Sequence, residues 1–392
     1  MKVFVRNQWK WIASFVHSAL LMVTCYALWN NPYTFSGEAS LIQWLNVGNS
    51  LLAGDDLPKD LLLVNIAYDR EFVDFYDEKG LPCGQIDITD RSKLTELFRY
   101  VDQAHNHKYI ICDVYFDASL QTPSDDSLYA LIGRIPRLVV PKHEGEVISE
   151  QIAHKAACSD YKTNIIENNL LKYQYLQHGE KSIPVYMWSE LTGGIFEKTF
   201  FGYRMNGKVA TNSIILNFQT QLRSTYNGND EKNYLNLGAD LLEALQIVGP
   251  EALFADKTIL IGDFCEHDIH SSVVGNIPGI LINYNACLML EQDKPVVGFA
   301  LWAVLFIVFM ITSFSCFSDR SLWDLLLHKG IFKRDVIQFF CTWLGLTFVL
   351  TVLNLLIYFV WGRFIEIFIF SGYFTFLKTG FDMYYLIKNK KI

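Results

Sequence analysis

Leu61-Leu62-Leu63-Val64-Asn65-Ile66-Ala67-Tyr68-Asp69 is the stretch on which the fold turns. An uncharged, almost wholly apolar run that ends at a carboxylate reads as a strand buried on both faces, as in a parallel sheet covered by helices. The pattern recurs. Tyr109-Ile110-Ile111-Cys112-Asp113-Val114-Tyr115-Phe116-Asp117 is a second copy and Lys257-Thr258-Ile259-Leu260-Ile261-Gly262-Asp263 a third. Leu138-Val139-Val140 and Ile214-Ile215-Leu216-Asn217-Phe218 are shorter strand-like runs. Helical periods fall between them. Thr89 or Asp90 can cap a helix whose Leu94, Leu97, Phe98 and Val101 share one face. Asp125-Asp126 opens a second helix, Leu237–Leu245 is a third, and Ile280–Glu291 is a fourth. Gly80-Leu81-Pro82-Cys83-Gly84 reads as a turn-rich loop. Residues 144–212, mixed in polarity and containing Gly193-Gly194, read as an insertion or second layer. Strands alternating with helices at this spacing predict an α/β domain with a mainly parallel sheet.

Outside that domain the composition changes. Trp11–Trp29, Val296–Phe317 and Val336–Trp361 are apolar runs long enough to cross about 30 Å of hydrocarbon, which takes about 20 helical residues. Backbone groups cannot stay unpaired in lipid, so such runs must be helices. Trp9, Trp11 and Trp29 sit where interfacial anchors do. A fourth run, Phe364–Leu377, is shorter, is interrupted by Glu366 and reaches Ile387 only by taking in Lys378 and Asp382. On a helix those two are spaced to compensate one another. The competing reading is a helix lying in the headgroup region. The organisation expected is a cytoplasmic N-tail (1–10), a first span (11–29), an α/β domain (30–295), a second span (296–317), a loop (318–335), a third span (336–361), a fourth (364–387) and a tail (388–392).

Basic residues orient it. Lys2, Arg6 and Lys10 precede the first span; Arg320, Lys329, Lys333 and Arg334 lie between the second and third; Lys388, Lys390 and Lys391 close the chain. With the N-terminus inside and one N-terminal plus three C-terminal spans, every group is cytoplasmic, as the positive-inside rule asks. The α/β domain is then extracytoplasmic and the protein a multi-pass protein of the inner (plasma) membrane. The first run is too long, and lacks the small-residue site, for a cleaved signal peptide.

The net charge of −8 arises mostly in the middle segment and argues against a nucleic-acid surface. Of the eight cysteines, Cys83, Cys112, Cys158, Cys265 and Cys287 fall in the α/β domain, an odd number that makes no disulfide framework. Cys112 and Cys287 lie in apolar runs and read as buried thiols.

The order Tyr68-Asp69, then Thr89-Asp90-Arg91, then Asp113-Val114-Tyr115-Phe116-Asp117 resembles the opening of a CHASE2 domain, and Asp125-Asp126-Ser127-Leu128 continues the likeness. Ile259-Leu260-Ile261-Gly262-Asp263 through Asp268-Ile269-His270 to Ile277-Pro278-Gly279-Ile280 is similar to the end of that family. So is the layout of one helix before the domain and a hydrophobic bundle after it. The resemblance implies an extracytoplasmic sensory module of bacterial signalling receptors, whose members usually carry a cytoplasmic cyclase or kinase. This chain departs from that pattern, since few residues follow the last apolar run and the loop 318–335 is short. A signal would have to pass to a separate cytoplasmic protein.

Ligands of open α/β sheets bind beyond the carboxyl ends of the strands. That makes Asp69, Asp113, Asp117 and Asp263 candidate ligand-binding residues, with Arg91 available to meet a carboxylate or an anion. The competing reading is an ion pair, Asp69–Arg91 or Arg91–Asp113, that fixes loops. Asp263-Phe264-Cys265-Glu266-His267-Asp268-Ile269-His270 is dense in metal-ligating types, but its spacing matches no closed structural site. Asp268 and His270 are therefore kept as ligand candidates, with no metal and no cofactor expected. There is no Gly-x-Ser-x-Gly elbow, phosphate-binding glycine loop or His-Glu-x-x-His, so no catalytic residues are assigned and an enzyme is not expected. Asp55-Asp56 and Asp125-Asp126 read as helix starts. His17 and Asn354, polar inside spans, read as interhelical hydrogen-bonding residues. The expected partners are the bilayer, a separate cytoplasmic signalling protein and an external small-molecule or protein ligand, with homodimerisation left open. The rival expectation is a non-signalling scaffold subunit of an envelope complex.

Overall fold

The computed structural model describes residues 2–33, 40, 42–45, 57–76, 81–163, 169–222, 234–265, 267–318 and 335–390. Asp55-Asp56, Gly80, Glu266 and the basic loop residues from Arg320 to Arg334 lie outside the described residues. The chain divides into two compact units. One comprises residues 42–207 and 216–293; the other comprises 1–41, 208–215 and 294–392.

The first unit is built on a six-stranded parallel sheet. Its strands are β1 (Leu61–Asn65), β2 (Tyr109–Cys112), β3 (Leu138–Lys142), β4 (Ala156–Cys158), β5 (Leu235–Asn236) and β6 (Thr258–Gly262). They lie in the order β5-β1-β6-β2-β3-β4, each neighbour parallel to the next. The last strand in sequence is thus inserted at the centre. Every residue of β2 and β6 is buried, as runs of Ile, Leu and Val with no outward polar face require. Val64, Ile110, Cys112, Leu138, Val140, Ile259 and Ile261 point to one face. There they meet Leu94, Leu97, Phe98 and Val101 of α2 (Arg91–Ala104) and Leu128 and Ile132 of α3 (Asp125–Arg134). Each such side chain removed from water contributes about 1.5–3 kcal/mol. Helices α4 (Ile183–Thr192) and α7 (Gly279–Glu291) pack together, and α7 lies against β6. Between β5 and β6 the chain makes a π-helical turn, Leu237–Leu241, then the short helices α5 (Leu242–Val248) and α6 (Pro250–Phe254).

Three sequence expectations change. The turn-rich loop expected at Gly80–Gly84 gives way to a strand from Pro82 on: Pro82–Thr89 pairs antiparallel with Arg70–Tyr76. Val73 and Ile88 of that hairpin are buried and cluster with Leu120, a small apolar contact. Ile214–Phe218 is not a strand of the main sheet. The strand there is Ser213–Ile215, outside the six. The edge places go instead to β5 and β4, two and three residues long and too short to show a period. The region 144–212 holds β4, α4 and small antiparallel hairpins, including Phe196–Thr199 with Gly202–Met205.

Among its described residues the second unit carries four long helices: α1 (Lys2–Asn30), α8 (Phe299–Phe317), α9 (Asp335–Trp361) and α10 (Ile367–Lys390). Gln8–Asn30, Phe299–Phe317 and Trp343–Trp361 are long and apolar enough to cross a membrane. Their inward residues, among them Leu21, Trp29, Leu301, Leu305, Phe309, Leu350 and Ile357, pack with Phe370 and Phe374 of α10. Ile12, Val16, Leu20, Ile307, Phe348, Val352 and Phe359 remain exposed, as lipid-facing positions are. In α10 Lys378 and Asp382 form an ion pair at 2.8 Å. His17 joins three helices: Nδ1 lies 2.7 Å from Ser313 Oγ on α8, and Nε2 lies 2.5 Å from Tyr373 Oη on α10. Asn354 instead clamps the backbone before α10, donating to Ile365 O and accepting from Ile365 N, both at 2.7 Å. Arg363 is buried, donates to Thr211 Oγ1, Lys294 O and Pro295 O, and lies over Trp29.

Candidate functional site

The registers Asn65↔Gly262 and Ile261↔Cys112 bring the carboxyl ends of β1, β6 and β2 side by side. Asp263 and Asp113 are the next residues beyond two of those ends, and Asp69 follows a tight turn after β1 that is closed by Asp69 N donating to Ile66 O. The candidates nevertheless fall into five separate settings, distinguished by the partners each side chain finds.

Asp69 is an ion-pair residue. Its Oδ1 accepts from Lys93 Nζ at 2.6 Å and its Oδ2 from Gly238 N at 3.1 Å. The hydrogen bond to Asp69 raises the Lys93 ammonium above its ordinary pKa, against the effect of partial burial. Arg91 is fully buried and pairs with neither Asp69 nor Asp113. Its Nη1 donates to both oxygens of Asp125 at 2.7 Å, to Leu120 O at 2.7 Å and to Tyr129 Oη at 3.0 Å. The guanidinium also lies over the Phe116 and Tyr129 rings. Asp125, read from sequence only as a helix start, is the true counter-ion. The expected ion pairs Asp69–Arg91 and Arg91–Asp113 are thus both replaced. Asp90 caps α2 by accepting from Ser92 N and Lys93 N, which turns the Arg91 side chain inward at the first turn.

Asp117 is held locally by Ser119 N, Ser119 Oγ and Tyr115 Oη in a loop. Asp263 accepts from Cys265 N at 2.8 Å and from His267 N at 3.0 Å, with His267 Nδ1 at 3.1 Å. Both carboxylates are spent on loop geometry.

Asp113, Asp268 and His270 come together. His270 Nε2 lies 2.8 Å from Asp268 Oδ1. The Asp268 carboxylate rests against the first residue of α7, so close that a Cβ on Gly279 would meet its Oδ2 at 2.4 Å. Gly279 N donates to Asp268 O. The positive end of a 13-residue helix therefore faces an anion. Asp113 keeps a small exposed surface, yet its carboxylate accepts no hydrogen bond among the described residues. Desolvation, and then the charge of Asp268, hold it well above the ordinary aspartate pKa.

Sequence reasoning did not identify the polar residues that line this cluster. Tyr161 lies edge-on to His270 with ring centroids 4.8 Å apart, and donates to Gly279 O at 2.8 Å. Asn283 Nδ2 donates to Tyr161 Oη and Ser159 Oγ, while its Oδ1 accepts from Tyr173 Oη at 2.8 Å. Burial beside Asp113 and Asp268 raises the Tyr161 phenol well above its usual range. One signal was available: Asn283 and Asn285 interrupt an otherwise apolar helix. Asn285 proves to be structural, tying Thr220 N and O to α7.

No group of three or more His, Cys, Asp or Glu side chains converges as metal ligands among the described residues. The cysteines of this unit are free thiols, with Cys112 and Cys287 buried as their apolar runs predicted. Comparison with known proteins finds no matching family model, no match among curated proteins and none among solved structures.

Proposed function

We propose that this chain is an extracytoplasmic sensor of the inner membrane, with four spans, both ends cytoplasmic, and the α/β unit outside. The observation that carries the reading is Asp113: a desolvated carboxylate that accepts no hydrogen bond among the described residues, at the end of a central strand and next to Asp268. A largely desolvated acceptor that nothing completes costs stability, and a strongly perturbed carboxyl beside a second carboxylate at a strand end is a candidate for a functional site. The ligand fitting this cluster is a small cation or hydrogen-bond donor, held by Asp113 and Asp268 with Tyr161 and His270 beside them. Its binding would alter the charge at the start of α7. Seven residues, 292–298, join the end of α7 to α8, so a shift of α7 has a short covalent route to a span. The basic groups flanking the spans and the resemblance to CHASE2 sensory domains support the same orientation and role. The fourth span is α10, its Lys378–Asp382 pair lowering the cost of two charges near the interface. The output is read by a separate cytoplasmic protein.

The test is crosslinking and mass spectrometry in native membranes with probes that report sidedness, on the wild type and on Asp113→Asn. The reading predicts a cytoplasmic partner at 318–335 or 388–392 whose crosslinks change in the variant. Crosslinks confined to the α/β unit and unchanged by Asp113→Asn would replace the sensor with an envelope scaffold.

A further inference from the structure

The hairpin Phe196–Thr199 and Gly202–Met205 turns through Phe200 and Phe201. Its base is anchored by Phe196 and Met205, both buried and directly paired. Its tip is the opposite: Phe200 is 94% exposed and Phe201 89% exposed, the highest values among the exposed large apolar residues. Their rings meet each other edge-on, centroids 5.0 Å apart. Gly202 takes the positive φ that the reversal needs, at 128°, so the two turn positions can be any residue. Polar residues usually fill such positions, and two adjacent phenylalanines in water have no stabilising role in the hairpin itself.

What covers them follows from the tether. Val209 is eight positions after Phe201, and its carbonyl accepts from Val297 N, two residues before α8 begins. Thr211 N donates to Pro295 O, and Arg363, beside the interfacial Trp29, donates to Thr211 Oγ1. Val209 is therefore pinned at the ends of the membrane helices, and an extended chain holds Phe201 within about 26 Å of that level. Lys198, Arg204 and Lys208 are exposed on the same short segment, against a single acidic residue, Glu197. Aromatic tips flanked by cations suit the headgroup region, where rings enter the acyl boundary and ammonium and guanidinium groups meet phosphates.

We infer that the Phe200-Phe201 tip inserts into the outer-leaflet interface of the bilayer and gives the α/β unit a lipid contact independent of its covalent attachments. The inference rests on the membrane reading of α1, α8 and α9, and not on the sensing proposal.

The experiment places p-benzoylphenylalanine at position 200 or 201 of the full chain. The protein is reconstituted without other proteins in nanodiscs of phosphatidylcholine and phosphatidylglycerol, irradiated, and analysed by mass. The expected result is a phospholipid adduct on the tip peptide, several-fold above that from the same probe at exposed Lys181. Replacing phosphatidylglycerol with phosphatidylcholine should lower the yield. Adducts to peptides of this chain, or a yield no higher than at Lys181, would overturn the inference. Failure of the chain to enter the discs would overturn the membrane reading with it.

Discussion

Arg91 and Asp113 are both charged residues withdrawn from water in the same unit, and their surroundings treat them in opposite ways. Around Arg91 the chain supplies a carboxylate, a carbonyl, a phenol and two aromatic faces. Around Asp113 it supplies a second negative charge and no hydrogen bond among the described residues. Nη1 of Arg91 makes all of its side-chain hydrogen bonds, while Nε and Nη2 have no partner among the described residues; a buried charge met by a counter-ion is part of the scaffold. One left unmet is maintained at a cost in stability, and on that cost the proposed site rests. The contrast teaches that residue type at a strand end is a weak guide to function, and that partner inventory is a strong one.

The contrast can be broken first at Arg91. Arg91→Met strands Asp125 in a buried setting and should cost about 3–5 kcal/mol of stability. Thermal unfolding in nanodiscs reads the loss. The double variant Arg91→Met/Asp125→Leu should recover most of it, because a matched apolar pair leaves no charge unpaired. A single variant as stable as the wild type would remove Arg91 from the scaffold.

Asp113 predicts the reverse sign. A carboxyl whose folded pKa is raised binds more protons folded than unfolded, so its contribution to stability falls as pH rises from 3.8, its ordinary value, toward the raised one. Asp113→Asn removes that loss. Wild type and variant should unfold at similar temperatures near the bottom of this window, and the variant should be the more stable at neutral pH, by about 1–3 kcal/mol. A variant less stable at neutral pH would show that Asp113 is a satisfied structural carboxylate.

The smallest effect is expected at Asp69. Its partner Lys93 is 39% exposed, so solvent screens the pair, and Asp69→Asn should cost about 1 kcal/mol or less. Added salt should shrink the difference between the two proteins. A loss as large as that of Arg91→Met would place Asp69 in the scaffold as firmly as Arg91.

Much of this was legible beforehand. The apolar runs ending at Asp69, Asp113 and Asp263 are strands of one parallel sheet because continuous burial of Ile, Leu and Val leaves few other solutions. The helix at 91–104 was equally plain from its spacing. The hairpin 70–89 was not, because exposed Phe72 and Ile86 mix with buried Val73 and Ile88 and leave no clean alternation. Nor were β4 and β5, whose two or three residues carry no period and owe their pairing to neighbours in space. The same limit applies to the site. Asp113, Asp268 and His270 were chosen by position at strand ends and loops. Which carboxylates lock loops and which stays unpaired depends on Gly238, Asp125, His267 and Gly279, all brought in by the fold. Tyr161 and Tyr173 had no sequence signal beyond their type.

The claim beneath the account is that the α/β unit faces outward, and Cys83 offers the most direct test. It is an exposed free thiol on the strand Pro82–Thr89 of the hairpin. Intact cells of a bacterial host expressing the chain would be treated with a membrane-impermeant maleimide, with Cys83→Ser as the control for the labelled position. The account predicts labelling at Cys83 before permeabilisation, lost in Cys83→Ser. Labelling that appears only after the inner membrane is opened would contradict it.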